Sequence, residues 1–117
     1  ATITIMDNLP ANTLGGIFSI ANSETVSEKN QTVSVRLREV TLEGCGAISC
    51  KVSKGGLIYN QGKLTLEYVK LHRGMANDGG AIYIAGTNKT DQTKNGSLTV
   101  QNSLLENNTA NEGGGYL

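Results

Sequence analysis

Ala76-Asn77-Asp78-Gly79-Gly80-Ala81-Ile82-Tyr83 is the stretch from which the 117-residue chain can be read. Variants of it recur as Ala11-Asn12-Thr13-Leu14-Gly15-Gly16-Ile17-Phe18 and Ala110-Asn111-Glu112-Gly113-Gly114-Gly115-Tyr116. Gly55-Gly56-Leu57-Ile58-Tyr59 repeats its second half. Two adjacent glycines let the backbone enter positive φ or pass close to another backbone. Asn tolerates the left-handed region and caps turns. The apolar and aromatic residues that follow favour a strand. Each unit therefore reads as a tight corner followed by a strand.

Working outward, Lys63 through Gly80 matches Ser97 through Gly114 at an offset of 34 residues without a gap. Leu64, Leu66, Leu71 and Ala76 fall on Leu98, Val100, Leu105 and Ala110. A looser copy places Val33 and Val35 on Leu64 and Leu66, then slips by two residues so that Val40, Leu42 and Ala47 meet Val69, Leu71 and Ala76. The glycine pairs are spaced by 40, 24 and 34 residues. The extra residues of the longer units sit in one place, just after the Gly-Gly strand, at 21–31 and 86–96. The 24-residue unit has only Asn60-Gln61-Gly62 there. Equal elements with one connection of varying length predict stacked turns with loops on one edge.

Short strands are expected over 2–5, 17–20, 33–37, 40–42, 57–59, 64–68, 69–71, 82–84, 98–100 and 103–105, with 48–52 mixed. No window shows a helical face. Three short strands per copy, stacked copy on copy, predict an all-β right-handed parallel β-helix, a solenoid of three to four coils, with the whole of 1–117 as one segment of a longer chain. Such a segment would expose strand edges at its ends and could stack on itself there. Aligned positions should form ladders: Val33/Leu64/Leu98, Val35/Leu66/Val100, Leu42/Leu71/Leu105 and Phe18/Ile58/Ile82/Tyr116 inward. Tyr59 and Tyr83 should stack outward. Ala47/Ala76/Ala110 should make a small-residue corner, and Asn12/Asn77/Asn111 a hydrogen-bonded ladder. Gly15, Gly16, Gly55, Gly56, Gly79, Gly80, Ala81, Ile82, Gly113 and Gly114 are the structural repeat residues.

The motif Gly79-Gly80-Ala81-Ile82 resembles the GGA-I motif of the chlamydial polymorphic outer membrane proteins. Gly55-Gly56-Leu57-Ile58 is close to it. That family's second motif, F-x-x-N, has Leu105-Glu106-Asn107-Asn108 at its place, with Leu for Phe. The resemblance implies an autotransporter passenger on the bacterial outer membrane, an adhesin at the cell surface active in virulence.

Ten basic and ten acidic residues balance, which gives no footprint for nucleic acid or anionic membrane. No cofactor and no metal site is expected. Asp78 and Glu112 recur at one corner, but calcium needs six or more oxygens, and they read as solvated carboxylates. Glu39, Glu43 and Glu67 scatter among Arg36, Arg38 and Lys70, and His72 reads as a surface residue, so no catalytic group is assigned. Cys45 and Cys50 span a stretch longer than its counterparts. They are a candidate disulfide, with two reduced thiols or pairing with other chains as the other readings. Asn-x-Ser/Thr sequons stand at Asn30, Asn88, Asn95 and Asn107.

The function expected is non-catalytic binding of a host-cell protein or glycan by an extracellular segment. The contact residues are placed in the inserts: Asn22, Ser23, Glu24, Thr25, Ser27, Glu28, Lys29 and Asn30 in the first, and Thr87, Asn88, Lys89, Asp91, Gln92 and Lys94 in the second. The alternatives are a filament or spacer that assembles by stacking, and a carbohydrate-active enzyme.

Overall fold

The computed structural model describes residues 1–5, 9–21, 33–86 and 96–117. The fold is all-β. Its strands are β1 (Thr2–Thr4), β2 (Phe18–Ile20), β3 (Ser34–Arg38), β4 (Thr41–Glu43), β5 (Val52–Lys54), β6 (Ile58–Asn60), β7 (Lys63–Glu67), β8 (Lys70–His72), β9 (Ala76–Asp78), β10 (Ile82–Ile84), β11 (Ser97–Gln101) and β12 (Leu104–Glu106). Among the described residues the one helical element is a 3-10 turn over Ile48–Cys50.

The strands form small sheets, and every pairing is parallel. The first sheet has the order β1-β4-β8-β12. The second pairs β5 with β9 and is extended by single bridges from Leu14 to Lys54 and from Asp78 to Glu112. The third has the order β2-β6-β10, and Tyr116 bridges to Ile82 at its far edge. The fourth has the order β3-β7-β11. The chain passes through first, second, third and fourth sheet in that order and then begins again.

The expectation of three strands per copy is thus corrected to four passes. Ala76–Asp78 reads as a corner in sequence and Val52–Lys54 begins at the end of the mixed stretch 48–52, yet they pair side by side. The first-copy register is also corrected. Val35 lies opposite Leu64 and Leu37 opposite Leu66, so Val33 is not in that ladder and no slip occurs. Alternating residues keep the same face after a shift of two, so the pattern alone could not separate the two registers.

Leu42, Leu71 and Leu105 do form one ladder, joined by Ile3. Phe18, Ile58, Ile82 and Tyr116 form another. Leu42, Leu57, Ile58, Leu64, Leu66, Leu71 and Ile82 are fully buried, each worth roughly 1.5–3 kcal/mol of transfer free energy. Leu57 and Ala81 are as buried as the residues after them. The choice of one inward ladder over the other at this corner therefore fails, because the chain is still bending there and turns both residues inward.

The glycine pairs divide two tasks. Gly15, Gly55, Gly79 and Gly113 have φ of 77°, 69°, 66° and 64°, a region costly for residues with a Cβ. Gly16, Gly56 and Gly80 lie against the carbonyls of Gly56, Gly80 and Gly114, where a Cβ would collide. Their N–H groups donate to the carbonyls of Gly55, Gly79 and Gly113 at 3.1, 3.0 and 2.9 Å. The first glycine turns the chain and the second lets the next copy approach.

Glu39, Tyr68 and Asn102 all adopt positive φ between the fourth and first sheets, the same corner in three successive copies. Ala47 is exposed and outside the expected small-residue ladder. Val52 takes its place opposite Ala76, because residues 44–51 loop out before the chain rejoins the stack. Leu14 pairs with Lys54 and Lys54 with Asp78. Asn12 therefore falls opposite Val52, not Asn77, and the expected three-asparagine ladder is not formed.

Candidate functional site

Connection length varies most at the corner between the third and fourth sheets; it varies as well between the first and second, where residues 44–51 loop out. Ile20, Asn60 and Ile84 share one ladder position where the third sheet ends. Ser34, Lys63 and Ser97 share another where the fourth begins. In the middle copy Gln61-Gly62 joins the two ladders directly.

Asn60 organises this corner. It is fully buried. Its Nδ2 donates to the Ser97 carbonyl at 2.8 Å, and its Oδ1 accepts the Gly62 N–H at 2.9 Å. Its backbone carbonyl accepts the Ala85 N–H at 2.9 Å. The Gln61 and Lys63 N–H groups donate to Ile20 and Val33 carbonyls at 2.9 and 2.8 Å. On the other side, Ser97 N–H donates to the Gly62 carbonyl at 2.8 Å, and Gly96 N–H to the Ala85 carbonyl at 2.6 Å. Both insert necks are thereby tied to the Asn60–Lys63 turn. Gly62 is buried between them, where a Cβ would meet the Val33 and Ala21 carbonyls. Asn followed two residues later by Gly is turn chemistry legible in sequence; the burial of both residues is not.

The contact residues expected in the inserts, Asn22 to Asn30 and Thr87 to Lys94, lie outside the described residues. So do the sequons at Asn30, Asn88 and Asn95. Asn107 is exposed with φ 55°.

The outward faces are paired across strands. Arg36 meets Glu67 at 2.6 Å and Lys70 meets Glu106 at 3.0 Å. His72, expected to stand apart from acids, lies in register between Glu43 and Glu106, with its Nε2 2.9 Å from Glu43 Oε2. Asp78 and Glu112 are in register. Among the described residues no group of three or more His, Cys, Asp or Glu side chains is placed to hold a metal ion. Tyr59 and Tyr83 stack at 5.6 Å with rings 6° from parallel, and Lys54 Nζ is 4.8 Å from the Tyr83 ring centre.

A disulfide joins Cys45 and Cys50 across the looped-out segment. Arg73 donates to the Cys45 carbonyl at 2.9 Å and holds that segment against the next copy. Asn108, at the last position of the Leu105–Asn108 motif, is a tie between copies. Its Nδ2 donates to the Leu71 carbonyl at 3.1 Å, and its Oδ1 accepts the Gly74 N–H at 2.9 Å.

The PilS N-terminal family model matches residues 1–62, more than half of the chain. The chain belongs to the PilS N-terminal family, which is related to type IV pilins. No curated protein and no solved structure matches it. This corrects the resemblance to the polymorphic outer membrane proteins and, with it, the autotransporter reading. The physical reason lies in the motif itself. A positive-φ glycine, a second glycine at a close approach and an apolar residue turning inward are what this corner requires. Four residues fixed by packing carry little ancestry, and Gly79–Ile82 lies outside the span matched by the PilS N-terminal model.

Proposed function

We propose that the chain is a right-handed parallel β-helix segment that works outside the cell as a non-catalytic binding scaffold for a cell-surface protein or glycan. One observation carries this reading. Two inserts of unrelated sequence leave one corner of a repeating stack, on either side of a turn that needs only two residues. A parallel stack places their necks about 10 Å apart, two strand spacings. Loops on a rigid scaffold are where partner contacts concentrate.

Several features support the rest. The repeated order of four parallel sheets fits the path expected of a solenoid. The Cys45–Cys50 disulfide suits an oxidising compartment. Glu67, Glu106 and Glu43 are engaged with Arg36, Lys70 and His72, which favours a scaffold over a carbohydrate-active enzyme. Ten basic and ten acidic residues give nucleic acid no electrostatic footprint.

Replacing residues 22–32 and 87–95 by short Asn-Gly turns tests the proposal. The melting temperature should stay near that of the parent, and binding to cells or to an isolated receptor should be lost. Binding that survives both replacements would move the contact surface to the strand faces and end this reading.

A further inference from the structure

We propose that the corner between the fourth and first sheets carries a saccharide-binding groove, with the Tyr68 ring as its stacking platform and a chain of neutral β-linked hexopyranose rings as its ligand. The proposal goes beyond the insert reading, because it places a second contact at a different corner.

Tyr68 carries the argument. Its φ is 53°, where a bulky residue is an outlier. The neighbouring copies hold Glu39 and Asn102 at this corner, and Asn adopts such a backbone more readily. Strained residues gather where a ligand is held. Within the fold the ring gains little in return. It is 57% exposed, and its side chain makes no hydrogen bond or ring contact among the described residues. Tyr68 belongs to the middle copy, which has a neighbouring copy on each side along the stack. Its exposure is therefore lateral.

The ring stands in a groove of about 540 Å³ that runs along the stack. Glu39 and Thr41 lie one copy to one side of Tyr68, and Asn102 and Leu104 one copy to the other. Glu39 and Asn102 are two strand spacings apart, about 10 Å. The side chains of Glu39, Thr41 and Asn102 have no partner among the described residues. A carboxylate, a hydroxyl and an amide thus surround an aromatic ring. A hexopyranose presents matching groups, an apolar C–H face for the ring and a rim of hydroxyls for the polar side chains.

Other polymers fit this groove less well. The Lys70 and Leu104 N–H groups already donate to the Val40 and Val69 carbonyls at 3.1 and 2.9 Å, so a peptide strand finds no sheet edge to extend. Lys70, the lysine of the groove, is paired with Glu106 at 3.0 Å. Glu39 adds negative charge, which disfavours an anionic glycan. A neutral, extended saccharide suits a straight groove of this composition.

Titration of the isotope-labelled protein with cellohexaose and, separately, with N-acetylchitohexaose tests the site by NMR. For at least one of them, amide shifts should cluster at residues 39–41, 68–70 and 102–104. Tyr68→Asn keeps the corner and should weaken binding about tenfold, the equivalent of one aromatic contact. Tyr68→Phe keeps the ring and should bind like the parent, while Thr41→Val should bind more weakly. A merely structural Tyr68 would alter the melting temperature and leave affinity unchanged. No shifts with either saccharide, shifts outside these three segments, or unchanged affinity in Tyr68→Asn would overturn the site. The protein with both inserts replaced separates the two readings. Saccharide binding should persist in it, and its loss there would overturn the groove. Cell binding that survives the replacement ends the insert reading and leaves the groove standing.

Discussion

Leu66 and Val100 hold the same position on neighbouring strands, two residues before a corner residue with positive φ. Leu66 is fully buried and Val100 is exposed. Ile82 and Tyr116 differ in the same way within the third sheet. The middle copy and the last copy share a sequence pattern but differ in what lies on each side. The middle copy has a neighbour above and below; the last has one neighbour among the described residues. A single copy cannot cover its own apolar face, so burial here is a property of position in the stack. An equivalent apolar position is core in one copy and exposed in the next.

The largest contrast should come from charge. Ile82→Asp puts an unpaired carboxylate into the fully buried ladder and should cost more than about 4 kcal/mol, enough to unfold the segment. Tyr116→Asp, in the same ladder at an exposed position, should cost under about 1 kcal/mol. Urea unfolding of both variants checks this, and equal losses would break the comparison.

Glycine replacement should give the next largest difference. Gly80→Val drives side-chain atoms into the Gly114 carbonyl and should cost about 1–3 kcal/mol or more, as overpacking does. Gly114→Val meets only the Asn108 carbonyl and should cost less in dilute solution. The gap between the two midpoints measures how much the next copy matters at this corner.

The smallest effect runs the other way. Tyr68 and Asn102 occupy the same left-handed corner, with φ of 53° and 49°. Asn tolerates this region and Tyr does not. Tyr68→Asn should therefore stabilise the middle copy, by up to about 1 kcal/mol, seen as a higher melting temperature. A lower one would mean that the exposed Tyr68 ring contributes packing that outweighs its backbone strain.

The β character, the strand positions and the ladders of the last two copies were legible, since Lys63–Gly80 and Ser97–Gly114 align without a gap. The first copy was harder because an alternating strand looks the same after a two-residue shift. Val35 rather than Val33 meets Leu64, and only pairing partners reveal that. The second sheet was hidden because Val52–Lys54 and Ala76–Asp78 are short and mostly polar. The roles of Asn60 and Asn108 were hidden for a different reason. Each bonds to backbone 37 residues away in sequence, and side-chain chemistry alone does not say which backbone will be near. The common corner of the inserts was readable from their placement after the glycine pairs. The two buried residues that tie their necks, Asn60 and Gly62, were not, because turn residues between strands usually face solvent.

The central claim is that position in the stack, more than residue type, decides what each copy contributes. Truncation at one ladder position in two neighbouring copies tests it directly. Leu66→Ala should cost about 2–5 kcal/mol, the range for a large-to-small change in a packed core. Val100→Ala, measured in dilute solution by the same urea titration, should cost under about 1 kcal/mol. Losses of similar size in the two variants would contradict the account.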